Sequence, residues 1–347
     1  MANRYWVGGS GTWNTTSTTN WSASSGGPNG ASVPTAADAV FFDQAATYTV
    51  TLSGTLVCLD ITVSAGTVTI SGTGSLGISG SMSLIAATVW SATTTVTFNA
   101  TSAKTITTNG VSISGNVVFN GVAGTWQLQD NFTLGGVRNL THTNGTINLN
   151  GKTLTIGGVY QTAAGTKNLT FNGGTLLLTG SGTPFYNFQN TGYTTTAGTG
   201  IGKISLTSAS AKTFTGSSSG SVTYNCTLSN DGAGALTMTS SCTFTTITNT
   251  VQPTSFLFTA GTTTTVTNWN VSGTAGNLVT IGSVTAATHT LSKSSGTVSS
   301  NYLSISYSKA TGGATWNAGA NSVNGGNNTG WIFSAPSGAG GKFLVFF

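Results

Sequence analysis

The sequence has no glutamate and very little charge of either sign. Only 4% of its 347 residues are charged, and its ten lysines and arginines are spread from Arg4 to Lys342 without forming a cluster. Nucleic-acid binding needs a local density of basic side chains, so we expect none despite a net charge of +5. Windows of strong helix formers are also absent, and we therefore expect almost no helix.

Carboxylates, which polysaccharide-cleaving enzymes use in pairs, are scarce. The aspartates Asp38 and Asp43 are close in sequence, but their spacing places them on opposite faces of a strand. Asp60, Asp130 and Asp231 are widely separated along the chain, so only the fold could unite them. The sequence predicts that the protein is not an enzyme, with polysaccharide cleavage as the alternative.

Long hydrophobic runs are missing as well. No stretch approaches the roughly 18 apolar residues of a membrane-spanning helix. The opening MANRYWVGG lacks the basic and apolar regions of a secretory signal. We therefore expect no membrane insertion, and release from the producing cell by lysis within an assembled particle, with non-Sec export as the alternative.

What the sequence contains instead is short strands bounded by glycines. Residues 145–151 (GTINLNG) are echoed by residues 174–180 (GTLLLTG) and 66–72 (GTVTISG). In the first copy, Ile147 and Leu149 fall on one face of the strand while Thr146 and Asn148 face the other. Such a strand cannot bury its apolar face alone. We therefore predict an all-β fold, a right-handed parallel β-helix (β-solenoid) in which each turn, or rung, stacks on the next.

Similar strands recur between residues 46 and 310, which we predict to be the solenoid. At about 20 to 25 residues per rung this region would hold roughly 11 to 13 rungs, a rod about 50 to 60 Å long. Tandem antiparallel β-sandwiches are the alternative, and they are disfavoured because two-residue hairpin signals are few. Residues 184–188 (PFYNF) break the pattern, and we expect interior aromatics there rather than a projecting loop.

Histidine and cysteine show no metal-site pattern. His142 and His289 have no cysteine, histidine or carboxylate at ligand spacing, so we predict no metal and no cofactor and expect both at rung surfaces or corners. Cys58, Cys226 and Cys242 give an odd count. Cys226 and Cys242 could pair across neighbouring rungs, but the favoured interpretation is that all three are small buried residues.

Aromatic residues are concentrated at the start of the chain, where Trp6, Trp13 and Trp21 lie close together. A solenoid end needs a cap over its unpaired strand edge, so we predict a cap or attachment segment over residues 1–45. The alternative is a sugar-stacking surface, because aromatic rings offer broad apolar faces. On that alternative the candidate glycan-binding residues are Trp13, Trp21 and Trp90.

Both ends of the chain carry a resemblance. The opening YWVGGSGTWN…NWSASSGG…SVPTAADAVFFD and the closing NGGNNTGWIF at residues 324–333 resemble segments of bacteriophage virion structural proteins of the β-helical fibre or decoration type. The resemblance covers about a quarter of the chain and brings no catalytic motif. It implies a virion component, either a tail fibre, a head fibre or a capsid decoration, with a C-terminal cap over residues 311–336.

The chain closes on residues 337–347, a glycine-rich linker with an apolar tail. Such a tail would aggregate if exposed, so we predict that it docks on another subunit by adding a strand to a sheet edge; folding back onto its own cap is the alternative. The docking residues are Phe343, Leu344, Val345, Phe346 and Phe347.

Together these features predict a structural virion rod that contacts host-surface glycans. Its expected partners are other virion proteins, further copies of the chain and host-surface polysaccharide. A trimer would fit a fibre, although no coiled-coil heptad supports it. The alternative functions are a polysaccharide-degrading tailspike and a secreted bacterial adhesin.

Overall fold

The computed structural model describes residues 1–187, 192–216 and 222–334. Over these residues the chain is all β, with no helix, and forms a β-solenoid of about 13 stacked parallel turns that is consistent with a right-handed parallel β-helix. This confirms the predicted fold class. The alternative of antiparallel sandwiches is wrong, because the described strands pair in parallel with one exception, Asn3–Trp6 against Trp21–Ser22.

The strands of the first half are numbered along the chain. They are β1 (Asn3–Trp6), β2 (Gly11–Trp13), β3 (Trp21–Ser22), β4 (Ala39–Phe42), β5 (Thr47–Leu52), β6 (Thr55–Cys58), β7 (Ile61–Val63), β8 (Thr67–Gly72), β9 (Ser75–Ile78), β10 (Met82–Ser83), β11 (Val89–Trp90), β12 (Val96–Phe98), β13 (Ala103–Thr107), β14 (Ser112–Ile113), β15 (Val117–Leu128), β16 (Phe132–Leu134), β17 (Leu140–Asn148), β18 (Thr153–Ile156) and β19 (Tyr160–Thr162).

The second half continues the series. Its strands are β20 (Lys167–Thr170), β21 (Thr175–Leu178), β22 (Gly182–Asn187), β23 (Tyr193–Thr196), β24 (Gly202–Leu206), β25 (Lys212–Thr215), β26 (Val222–Asn230), β27 (Leu236–Met238), β28 (Cys242–Asn249), β29 (Thr254–Phe258), β30 (Thr263–Asn270), β31 (Val279–Ser283), β32 (His289–Ser292), β33 (Thr297–Ser299), β34 (Leu303–Ile305), β35 (Ser308–Thr311), β36 (Thr315–Asn317), β37 (Val323–Asn324) and β38 (Trp331–Ile332).

Strands of successive rungs stack into three faces that run along the rod. Face 1 begins at β6 and ends at β37. Between them it includes the first halves of β15 and β17, followed by β19, β22 and β25. Face 2 starts at β1 and β4 and includes the second half of β15 and of β17, then β20 and β23. Face 3 starts at β2 and β5 and includes β16, β18, β21 and β24.

Period-two alternation creates the core between these faces. Ile147 and Leu149 are fully buried while Thr146 and Asn148 point outward, as predicted. Parallel register then places each inward side chain over the one in the next rung, as where Ile147 pairs with Leu169. Each fully buried aliphatic side chain contributes about 1.5 to 3 kcal/mol relative to an exposed one, so stacking many rungs provides the stability that no single rung has.

Rung length varies more than predicted. Leu140 pairs with Tyr160, whereas Phe185 pairs with Phe214, so one rung takes 20 residues and another takes 29. Phe185 stacks between Tyr160 and Phe214, with ring centroids 5.4 and 4.2 Å away. The predicted interior position is therefore confirmed for this aromatic, while Phe188 lies outside the described residues.

Both ends of the solenoid are filled by tryptophans. At the first rung Trp21 makes edge-to-face contacts with Trp6 and Trp13, at centroid distances of 5.1 and 5.2 Å. At the last rungs Trp316 contacts Trp269 at 6.0 Å and Trp331 at 5.1 Å. These indoles close the two ends of the apolar core, which agrees with the predicted aromatic-rich N-terminal cap.

A candidate glycan-contacting surface

The structure does not place the predicted sugar-stacking tryptophans at the surface. Trp13, Trp21 and Trp90 are 1%, 0% and 3% exposed. The expectation of an exposed aromatic platform at these positions is therefore wrong, because the rings fill the core of the first rungs. The predicted docking tail, residues 343–347, lies outside the described residues.

Most of the carboxylates hold neighbouring rungs together. Asp60 accepts a hydrogen bond from the backbone N–H of Ser81 at 2.7 Å, and Asp130 accepts one from the backbone N–H of Thr108 at 2.9 Å. Asp38 accepts backbone N–H bonds from Ala2 and Thr35, both at 3.0 Å. Although burial raises the pKa of Asp38, a hydrogen bond from the Thr35 hydroxyl and these backbone bonds outweigh it and leave the pKa below its usual value. At these corners, the three carboxylates accept hydrogen bonds from backbone N–H groups in place of backbone carbonyl oxygens.

Asp231 is the most heavily engaged acid. It forms an ion pair with Lys203 at 2.6 Å and accepts hydrogen bonds from Ser205, Ser229 and Thr250 at 2.5 to 2.8 Å. Burial raises its pKa, but these partners together hold the pKa below its usual value. The carboxylate binds four partners across adjacent rungs, and these contacts leave it poorly suited to proton transfer.

Both histidines lie inside the rod, which corrects the expectation that they occupy rung surfaces or corners. His142 is fully buried, with Nδ1 2.9 Å from the Tyr160 hydroxyl and Nε2 3.0 Å from the carbonyl oxygen of Gly145. Burial lowers its pKa to about 3. His289 stacks on Phe258 at 4.5 Å, and burial lowers its pKa to about 4. Both imidazoles are therefore neutral at pH 7.

The polar interior continues beyond His142. Thr162 donates to Asn187 at 2.6 Å, and Asn187 donates to the carbonyl oxygen of Gly216 at 2.8 Å. Burial raises the pKa values of Tyr160 and Tyr193, so these groups are uncharged as well. Inward polar side chains thus satisfy carbonyl groups where the chain turns, and they form part of the core.

The cysteines are buried free thiols. Cys58, Cys226 and Cys242 form no disulfide, which confirms that they act as small core residues. Burial raises the pKa of each thiol, that of Cys242 to about 12. Within the described ranges, no group of three or more His, Cys, Asp or Glu side chains could hold a metal ion.

A flat array of uncharged polar side chains covers the middle of face 2. We call it the polar panel; it consists of two columns that run across four rungs. One column is Thr125, Thr146, Asn168 and Thr194, and the other is Gln127, Asn148, Thr170 and Thr196. Rungs are spaced by about 4.8 Å, so the panel extends about 14 Å along the rod. It offers hydroxyl and amide groups at regular intervals.

Hydrogen bonds fix the centre of the panel and leave its margins free. Asn168 accepts from the hydroxyls of Thr194 and Thr196 at 3.0 and 3.1 Å, and it donates to Thr170 at 2.7 Å. Thr125 and Thr146 make no side-chain hydrogen bond to any described residue. The panel therefore combines an ordered amide with hydroxyls that are available to a ligand.

A projecting corner borders the panel. Residues 121–124 (GVAG), which we call the knuckle, lie between faces 1 and 2. Between the pairs Asn120–Asn144 and Thr125–Thr146, these four residues of β15 lie opposite one residue of β17. A Cβ on Gly121 or Gly124 would collide with the carbonyl oxygen of Ala100, so the chain is pressed inward at both glycines. Between them Ala123 adopts a φ of 62° and Val122 is 67% exposed.

The knuckle and the panel enclose a groove of about 270 Å³. Val122 and Ala123 form one side, and Thr146, Asn168 and Thr194 form the other. Lys167 also lines the groove, but its ammonium donates to the carbonyl oxygen of Gly165 at 2.6 Å and the side chain is only 1% exposed. The groove therefore offers an apolar contact beside neutral polar groups.

A second groove of about 430 Å³ lies at the corner between faces 3 and 1. Its floor is glycine backbone, including Gly136, Gly157 and Gly180, and Val137 stands at its rim with 81% exposure. A Cβ on Gly157 would collide with the carbonyl oxygen of Gly136. Close backbone packing between rungs therefore accounts for Gly157 and Gly180, whereas Gly136 has a φ of 62° that favours glycine. The groove follows from the lack of side chains at these positions.

The panel and the knuckle are not among the features predicted from the sequence. Each panel strand has outward Thr, Asn or Gln at alternate positions. This alternation could be seen from the sequence, but the alignment of the rungs could not.

Comparison of the chain with family models, curated proteins and solved structures found no match. The described part of the chain includes no apolar helix of membrane-spanning length.

Proposed function

We propose that this chain is a structural component of a bacteriophage particle, a β-helical rod in a tail fibre, a head fibre or a capsid decoration, that contacts host-surface glycans. The observation that carries the proposal is the use of Asp60, Asp130 and Asp231 as bonds between rungs of a continuous solenoid. A polysaccharide-cleaving rod would need a carboxylic acid and a carboxylate aimed at the substrate. The resemblance of both chain ends to virion proteins supports the particle assignment.

The uncharged surface supports the glycan part of the proposal. Polysaccharides present many hydroxyl groups and few charges, and the polar panel presents the same kind of group. Each such hydrogen bond contributes only about 0.5 to 1.5 kcal/mol. Useful affinity then requires several copies of the rod, which agrees with a homo-oligomeric fibre bound to other virion proteins.

Mass spectrometry of purified phage particles tests the assignment to the virion. We expect peptides of this chain at a copy number of at least one oligomer per particle. Finding it only on the bacterial surface or in culture medium would instead support a secreted bacterial adhesin and overturn the virion assignment.

A sugar-release assay tests the absence of catalysis. Purified protein is incubated with host capsular polysaccharide, and both binding and reducing ends are measured. We expect retention of polysaccharide without new reducing ends. Release of reducing sugars that Asp231→Asn abolishes would identify a polysaccharide-degrading tailspike and overturn the non-catalytic role.

A further inference from the structure

We propose that the polar panel and the Val122 knuckle form a binding site for a neutral, extended polysaccharide that lies along the rod axis. This inference deepens the proposed function and depends on its glycan-binding part. It specifies where on the rod the glycan binds and which chemical class of glycan the site accepts.

The knuckle provides the apolar contact. A sugar ring has an apolar C–H face, and the groove presents Val122 and the methyl group of Ala123 to such a face. At about 270 Å³ the groove is smaller than the roughly 300 to 1,000 Å³ of pockets that enclose drug-sized ligands. It therefore suits one ring of a longer chain, whose other rings continue over the panel.

The panel provides the polar contacts in a matching period. Thr125 and Thr146 lie in adjacent rungs about 4.8 Å apart, close to the length that one hexose occupies in an extended chain. Asn168 is held by Thr170, Thr194 and Thr196, so its amide is already ordered before a ligand arrives. Ordered groups lose less conformational entropy on binding.

Charge determines the ligand class. The panel contains only Thr, Asn and Gln, and the nearby ammonium of Lys167 is turned to the carbonyl oxygen of Gly165. An acidic polysaccharide would find no exposed cation there to offset the loss of its hydration. The site therefore favours polymers of neutral hexoses over those that contain uronic acids.

The knuckle also distinguishes this groove from the one beside Val137. The first groove is lined by the exposed Val122 and by three residues of the polar panel, Thr146, Asn168 and Thr194. The second groove is lined mainly by glycine and serine at a corner and includes no residue of the panel. Of the two, the groove beside the knuckle therefore joins an apolar contact to the regular columns of polar side chains.

Binding of the full chain to immobilised neutral polymers (dextran, mannan and galactomannan) and acidic polymers (alginate and hyaluronan) tests the site. Val122→Asp and Thr146→Glu introduce charge at the knuckle and the panel. Val137→Asp probes the second groove, and Thr280→Glu, on an outward position of face 1, is the matched control. We expect the first two variants to weaken binding of a neutral polymer at least about tenfold, the equivalent of one or two lost contacts, and the other two to bind as wild type does.

Each other result overturns the inference. Loss of binding in Val137→Asp alone would place the site at the glycine corner, and equal binding by all four variants would place it elsewhere on the rod. Binding of acidic polymers only would exclude the neutral class. Failure of the wild-type protein to bind any neutral polymer would show that the proposed site does not bind glycan. The virion assignment does not depend on this result, because particle mass spectrometry tests it separately. Circular dichroism and thermal unfolding verify that each variant is folded.

Discussion

The imidazole of His142 and the phenol of Tyr160 meet inside the rod, with Nδ1 2.9 Å from the hydroxyl oxygen. The carbonyl oxygen of Gly145 lies 3.0 Å from Nε2 and can only accept a hydrogen bond, so Nε2 carries the proton. Nδ1 therefore accepts from Tyr160, and the ring is neutral. Adding a proton to Nδ1 would reverse this bond, so that the ring N–H donates to the phenol oxygen, and would leave a charge in the core.

Acid should destabilise the fold through both histidines. Their pKa values of about 3 and about 4 lie below the usual 6.5, so the unfolded chain binds more protons below pH 6.5 and stability falls with pH from there. At pH 4.5 each imidazole should cost about 2 to 3 kcal/mol relative to pH 7, at about 1.4 kcal/mol per pH unit. Urea unfolding followed by tryptophan fluorescence at both pH values measures the loss.

The double variant His142→Gln/His289→Gln serves as the control and should lose little stability over this range. If the double variant is too unstable to study, NMR of the wild-type protein provides the test. Its imidazole proton resonances should not titrate between pH 8 and 5. A normal titration near pH 6.5 would contradict the prediction.

The same substitution should have opposite effects at the two histidines. His142→Leu removes the partner of Tyr160 and Gly145 and should destabilise the protein by about 1 to 3 kcal/mol. His289 has no hydrogen-bond partner on either ring nitrogen among the described residues, so His289→Leu should be neutral or stabilising by about 1 kcal/mol. Thermal and urea unfolding distinguish these outcomes, and equal losses at both sites would refute the prediction.

Removing the charge of Asp231 should weaken the contact between rungs of face 3. Asp231→Asn loses the ion pair with Lys203 and part of the acceptor capacity used by three hydroxyls, and should cost about 1 to 3 kcal/mol in unfolding free energy. Asp43 accepts one side-chain bond, from Gln44 at 3.2 Å. Asp43→Asn is the matched control and should change stability by no more than about 0.5 kcal/mol.

Two corner glycines in successive rungs should respond differently to alanine. A Cβ on Gly157 would collide with the carbonyl oxygen of Gly136, whereas the nearest atom to a Cβ on Gly135 is 3.6 Å away. Gly157→Ala should cost about 1 to 3 kcal/mol, and Gly135→Ala should change stability by less than about 0.5 kcal/mol. Chemical denaturation of both variants provides the test; similar costs would contradict the packing described at this corner.

The thiols should be unreactive until the chain unfolds. Cys58, Cys226 and Cys242 are buried, and burial raises the pKa of each, so few thiolates form at pH 8. Iodoacetamide should add nothing to the native protein over a period in which three adducts form in urea, as measured by intact mass. Rapid modification of the native protein would show that a thiol is accessible.

Short-range sequence patterns predicted the fold. Inward Ile147 and Leu149 alternate with outward Thr146 and Asn148, and this alternation predicts a strand that buries one face against its neighbours. The same parity could have located the histidines, since His142 follows Leu140 by two residues and His289 precedes Leu291 by two. Polar side chains are mostly exposed in proteins, and that general preference led to the wrong expectation for both.

The candidate surface could not be derived from sequence in the same way. Thr146 and Thr194 lie in one column of the panel although they are far apart in sequence. Rungs of 20 and of 29 residues both occur, so which side chains align depends on the length of every corner between them.

The tryptophans illustrate a second limit of prediction from sequence, because large aromatic side chains suit a sugar-stacking surface and an apolar plug equally well. Burial of the rings determined which role applies here.

The reversal of chain direction at β3 has a consequence for assembly. β3 runs antiparallel to β1, and its Trp21 carbonyl oxygen accepts from the N–H of Ala31 at 3.0 Å. At the face 2 edge of the first rung, an incoming strand therefore meets β3, which runs against the direction of the ladder and has an occupied acceptor. A second rod cannot continue the parallel ladder of face 2 across this strand, so β3 ends that ladder at the start of the rod.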